Sequence, residues 1–210
     1  MLVFIRNASS VSSVSFRASA VSSTASITIP AGAAVGDWAI LVDFAVKTAG
    51  TPSAVVPAGW THNTSLGGTS ATSRVAVLWK ILAAGEPGAS ITGMDGNASD
   101  QKVMLVFSAN AAISTGTFAS MTTETTNGNA ADQTVTAGSG HAPLIVLGLA
   151  ACNDAIGVFD VETPAFTAKV TQGNLVVGYI IYNASQANHS VGMADLGTGN
   201  ALSSCYVEIY

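Results

Sequence analysis

From Trp38 to Lys47 the large apolar residues recur at every second position: Trp38, Ile40, Val42, Phe44 and Val46 fall on one face of an extended strand, and Ala39, Asp43, Ala45 and Lys47 on the other. A period of two is the signature of a strand, because a helix would bring apolar positions together every three or four residues. Arg74 to Leu82 repeats the pattern, with Val75, Val77, Trp79 and Ile81 inward and Arg74, Ala76 and Lys80 outward. Each of these strands is therefore expected to have a core side and a wetter side. No segment carries a convincing amphipathic helical period.

Further apolar runs read as strands at Leu2 to Ile5, Val14 to Ala18, Ser26 to Ile29, Ser90 to Thr92, Val103 to Phe107, Gln133 to Thr136, Leu144 to Ala151, Phe166 to Val170, Leu175 to Tyr182 and Cys205 to Ile209. Turn signals punctuate them, among them Pro30-Ala31-Gly32, Pro57-Ala58-Gly59, Glu86-Pro87-Gly88 and Asp95-Gly96-Asn97. Many short strands at this spacing predict an all-β fold, a sandwich or barrel, with an antiparallel β-sandwich as the expected form.

The two halves share an order of landmarks at a period of roughly 100 residues. Val75 to Leu82 aligns with Leu175 to Tyr182, Ser90-Ile91 with Ser190-Val191, and each series ends on an apolar strand, Val103 to Phe107 and Cys205 to Ile209. About four strands from each half make about eight core strands in two related halves, a jelly-roll-like plan, with N-terminal strands in addition. The expected division is a Ser-rich arm or edge strand over 1–25 and one domain over 26–210, its halves 26–108 and 133–210 joined by the low-complexity stretch 109–132.

Composition narrows the function classes. Only 9% of the 210 residues are charged against 49% hydrophobic, where an ordinary domain carries about a quarter charged residues. The formal net charge is -5 and Lys plus Arg number seven, too few for a basic nucleic-acid footprint. Leu144 to Cys152 is too short to span a bilayer as a helix. Arg6 ends the apolar start of the chain, so no secretory signal is expected. Without one, the sequons at Asn7, Asn63, Asn97, Asn183 and Asn188 read as chance, and Cys152 and Cys205 as buried thiols rather than a disulfide.

Catalytic chemistry finds little to work with. His62, His141 and His189 stand at no metal-ligating spacing. Gly138-Ser139-Gly140-His141 lacks the strand-turn-helix setting of a nucleophile elbow. Asp160 and Glu162 would share a face if extended, and read as a charge pair in a loop or strand edge. No catalytic residue and no cofactor is therefore expected. Two weaker candidates remain. Asp95, Asn97 and Asp100 offer oxygens at spacings resembling half of a calcium loop, without the closing Glu. Trp60, after the Pro57-Ala58-Gly59 turn, either plugs the end of the fold or projects to stack on a sugar, with Asn63 as a polar partner.

One group of landmarks resembles a recurrent domain of tailed bacteriophage and prophage structural proteins: Ile29-Pro30-Ala31-Gly32, Gly36-Asp37-Trp38, Pro57-Ala58-Gly59-Trp60-Thr61, Leu78-Trp79-Lys80 and Ala84-Gly85-Glu86-Pro87. The likeness covers 26–108, and the second half only by pattern. It implies architectural roles: Gly-Asp opens a long core strand, Pro-x-Gly-Trp closes a turn, and Gly-Glu-Pro ends a central strand. It also implies a noncatalytic virion component, a capsid decoration, fibre, tail or baseplate protein, whose partners are other virion proteins and copies of itself. A carbohydrate- or host-receptor-binding module, taking a surface glycan, is the alternative.

Overall fold

A computed structural model describes residues 13–50, 52–62, 73–94, 99–109, 121–124, 133–138, 144–152, 162–163, 166–184, 188–193 and 202–209. These residues form strands and connections, with no helix among them, and every strand pair is antiparallel. The first half carries β1 (Val14–Ser22), β2 (Ile27–Thr28), β3 (Trp38–Val46), β4 (Thr61–His62), β5 (Ser73–Ile81), β6 (Ser90–Ile91) and β7 (Ser99–Ala109). The second carries β8 (Met121–Glu124), β9 (Gln133–Gly138), β10 (Leu144–Cys152), β11 (Glu162–Thr163), β12 (Ala168–Gln172), β13 (Leu175–Tyr182), β14 (Asn188–Met193) and β15 (Leu202–Ile209). β8 lies inside the stretch that composition reads as a connection. The apolar run Leu2 to Ile5 falls outside the described residues.

Pairing follows the same rule in both halves. In the first, β1 pairs with β7, β2 with β6 and β3 with β5, each pair nested in sequence inside the last. In the second, β8 pairs with β15, β9 with β14 and β10 with β13. Cross-links β3–β7 and β10–β15 then close the five-stranded sheets β1-β7-β3-β5-β4 and β12-β13-β10-β15-β8. Smaller sheets, β2-β6 and β11-β14-β9, hold the remaining strands. Among the described residues no ladder joins one half to the other. The nesting is thus completed within each half, where the sequence reading spread about eight strands over both.

The two large sheets share one apolar cluster. Trp38, Ile40, Val42, Phe44, Val75, Val77, Val103, Leu105 and Phe107 come from the first half, and Ile145, Leu147, Leu175, Val177 and Tyr179 from the second. The first-half residues are the odd or even members of their strands that period two assigns to a single face. Side-chain bonds also cross between the halves. The Asn183 amide accepts from the Val14 N–H (2.8 Å) and donates to its C=O (3.1 Å), while the Gln101 carbonyl accepts from the Asn174 N–H.

The expectation of a wetter side on β3 and β5 is corrected. Ala39, Leu41 and Ala45 on β3 and Ala76 and Leu78 on β5 are wholly buried on the second face, and Asp43 and Arg74 nearly so. The cover is local. Ile27, Ile29 and Ala33 from around β2, Trp60 before β4, and Leu82, Ile91 and Met94 from around β6 pack on that face. A strand buried on both sides no longer has to alternate apolar with polar, which is why its second row holds small residues as well as a few charges.

Candidate functional site

Charges are scarce in this chain, so their placement is informative. On the second face of the first-half sheet, Asp43 lies opposite Lys102 across the β3–β7 ladder, and Ala45 lies between Arg74 on β5 and Asp100 on β7. Small side chains at Ala45 and Ala76 leave room for the long ones to lie along the sheet. The four charged residues meet there: Arg74 Nη2 is 2.9 Å from Asp43 Oδ2, Lys102 Nζ is 3.3 Å from Asp43 Oδ1, and Nζ is 3.9 Å from Asp100 Oδ2. Lys102 also donates to the Thr24 carbonyl at 2.9 Å.

The burial is extreme for ions. Lys102 is 0% exposed, Asp43 1%, Arg74 4% and Asp100 7%. Two cations and two carboxylates balance in charge, which this depth requires, since an unpaired buried ion costs several kcal/mol, of order 3–5 once its partner is removed. Hydrogen bonding is less complete than charge. Among the described residues, Asp43 Oδ1, Arg74 Nε and Nη1, and His62 Nε2 are buried without a hydrogen-bond partner. His62, at the edge in β4, is held below the ordinary histidine range first by burial and then by the nearby Arg74 cation.

Two further ion pairs tie connections to strands. Arg17, at the β-bulge in β1, places Nε 2.6 Å from Asp37 Oδ2, an oxygen that also accepts the Ala34 N–H at 2.7 Å. Lys80 pairs with Glu86, whose other oxygen accepts the Ala83 N–H at 2.7 Å. The Ala83 N–H first, and Lys80 with it, hold the Glu86 carboxyl below its usual value. These are the Gly-Asp and Gly-Glu-Pro landmarks of the sequence, and both close loops.

Of the ligand candidates, Trp60 and Asp100 lie among the described residues. Trp60 is 9% exposed and packed in the second cluster. The turn before it is closed by Trp60 N–H donating to the Pro57 carbonyl (3.1 Å), with Gly59 at φ 78°, a conformation that costs glycine little. Asn63, Asp95 and Asn97 fall outside the described residues, and Asp100 directs a carboxylate oxygen toward Lys102. His141 and Asp160 are likewise outside, while His189 and Glu162 lie in β14 and β11. Cys152 is opposite Leu202 and Cys205 opposite Leu149, so the cysteines are not a directly opposed pair. Among the described residues no group of three or more His, Cys, Asp or Glu is placed to hold a metal ion.

The sequence reading missed Asp43, Arg74 and Lys102 as a group, assigning Asp43 and Arg74 to a wetted face. A signal was present: charges in phase with the small-residue row of apolar strands, in a chain with so few charges, are candidates for mutual pairing. The chain matches no family model, no curated protein and no solved structure.

Proposed function

We propose that this protein is a noncatalytic structural component of a tailed phage particle, a capsid decoration, fibre, tail or baseplate protein that acts by packing against copies of itself and against other virion proteins. The observation that carries the reading is how the charges are spent. Arg17, Asp37, Asp43, Arg74, Lys80, Glu86, Asp100 and Lys102 are all engaged in internal ion pairs, and the exposed positions of the described residues are mostly Ser, Thr, Ala and Gly. Burying such a surface in an assembly avoids the cost of desolvating ions.

The strand plan is consistent with this reading. Nested pairs β1/β7, β2/β6 and β3/β5, repeated as β8/β15, β9/β14 and β10/β13, are those of a ribbon folded on itself and rolled up. We read each half as a reduced jelly roll, an architecture used in capsid and in lectin domains, with the large sheets facing one another as a sandwich. The lectin-like alternative needs an exposed aromatic platform, and Trp60 is committed to packing.

β1 is the surface best suited to assembly. It ends its sheet, and two of its apolar side chains reach solvent, Phe16 being 36% and Val21 46% exposed. Asn183 mimics a neighbouring strand at Val14 and caps the edge there. From Phe16 to Ser22 no described strand lies alongside it, and an unpaired edge is a template for another strand. Light scattering of the full chain tests the reading. The expected result is a discrete oligomer that Ser19→Lys and Val21→Lys dissociate while circular dichroism stays unchanged. A wild-type chain that remains monomeric at high concentration refutes self-assembly through this edge.

A further inference from the structure

The geometry points to an intramolecular amide between the Lys102 side chain and the Asp43 side chain, a covalent bond from β7 to β3 formed by the protein itself. Three features of the ionic cluster lead there. Lys102 is wholly buried, and its nitrogen lies 3.3 Å from Asp43 Oδ1, so an amine and a carboxyl are held side by side away from bulk water. Among the described residues Asp43 Oδ1 has no hydrogen-bond partner, whereas Oδ2 accepts from Arg74 at 2.9 Å. A second carboxylate, Asp100, stands 3.9 Å from the same nitrogen.

Each group then has a part. Transfer of a proton from the ammonium to Asp43 gives a neutral amine beside a carboxylic acid, and removing both charges from a buried site relieves their desolvation. The nitrogen lone pair attacks Cγ, forming the N–C bond, and negative charge develops on Oδ2, where the Arg74 guanidinium stabilises it. Asp100 accepts a proton from the nitrogen and returns it to Oδ1. The Cγ–Oδ1 bond breaks and Oδ1 leaves as water. An ammonium and a carboxylate become an amide and one water, with no oxidant, reductant or co-reactant. The poorly satisfied oxygen is the one expelled, and Arg74 and Asp100 remain as a balanced pair.

The bond would tie the edge-proximal strand β7 to the central strand β3 whether or not the chain belongs to a virion, so its test is separate from that of assembly. Intact mass spectrometry of the denatured full chain, after incubation at neutral pH, is expected to read one water below the sequence mass. Tryptic digestion is expected to join the peptide bearing Asp43 to the one bearing Lys102. Lys102→Arg and Asp43→Ala are expected to restore the full mass, and Asp100→Asn to slow the loss at least tenfold. The full sequence mass in the folded wild-type chain overturns the proposal, even if neither variant folds. So does a water lost with the two peptides still separate, as a succinimide at Asp95-Gly96 would give.

Discussion

Replacing Trp60 with alanine separates packing from recognition at the single aromatic residue that the sequence offers as a ligand platform. The side chain is 9% exposed and shares its cluster with Leu41, Ala76, Leu78, Leu82 and Met104. A buried tryptophan removes about 150–250 Å² from water, which at about 25 cal/mol per Å² is worth roughly 4–6 kcal/mol as an upper bound. Truncations of this kind cost about 3–5 kcal/mol when measured, so about 4 kcal/mol is expected for Trp60→Ala. With an m-value of about 2–3 kcal/mol/M for a chain of this size, the urea midpoint should fall by about 1.3–2 M at unchanged slope. Trp60→Phe, which keeps a ring in the cluster, should recover at least half of the loss. A midpoint shift below about 0.3 M, equivalent to less than about 1 kcal/mol, would refute the burial argument. If the same variant also lost binding to host-surface glycans, recognition would be the role of this residue.

Two other predictions bear on the fold and its charge cluster. Gly178 lies in β13 with the Phe166 ring 2.7 Å from where a Cβ would stand, so Gly178→Ala should cost about 1–3 kcal/mol by overpacking and lower the thermal midpoint; an unchanged midpoint would show that Phe166 moves freely. The pH dependence follows from His62, whose folded value lies below the ordinary 6.5 because of burial and Arg74. As pH falls through about 6.5 the unfolded chain binds a proton that the folded chain refuses, so stability is full above that value and declines below it until the folded value is reached. Urea midpoints between about pH 8 and about pH 5 should therefore fall on acidification, and His62→Phe should flatten this part of the profile; a wild-type profile that is already flat would count against the placement of His62.

Strand positions were legible because period two survives in the residues themselves. Leu175 to Tyr182 was read with the bounds that β13 has, and Trp38 to Lys47 differs from β3 by one residue. β4, two residues long, and β8, in a Thr-rich stretch, gave no such signal because neither carries an apolar row. The common order of the halves was also visible, since hydrophobic and turn landmarks recur in the same sequence. Which strands pair was not, because a ladder is made by backbone groups that every residue shares.

The candidate cluster shows the same division. Local sequence determines that Asp43 and Arg74 point away from the face that holds Val42, Phe44, Val75 and Val77, because side chains alternate along any strand. Whether that other face meets water depends on the flanking segments 27–33 and 82–94 and on Trp60 folding back over it, and only the tertiary structure decides this. Once covered, the same charges that would be solvated on an open sheet must neutralise one another. Asp43 and Lys102, far apart in sequence, come into contact because the β3–β7 register sets them opposite.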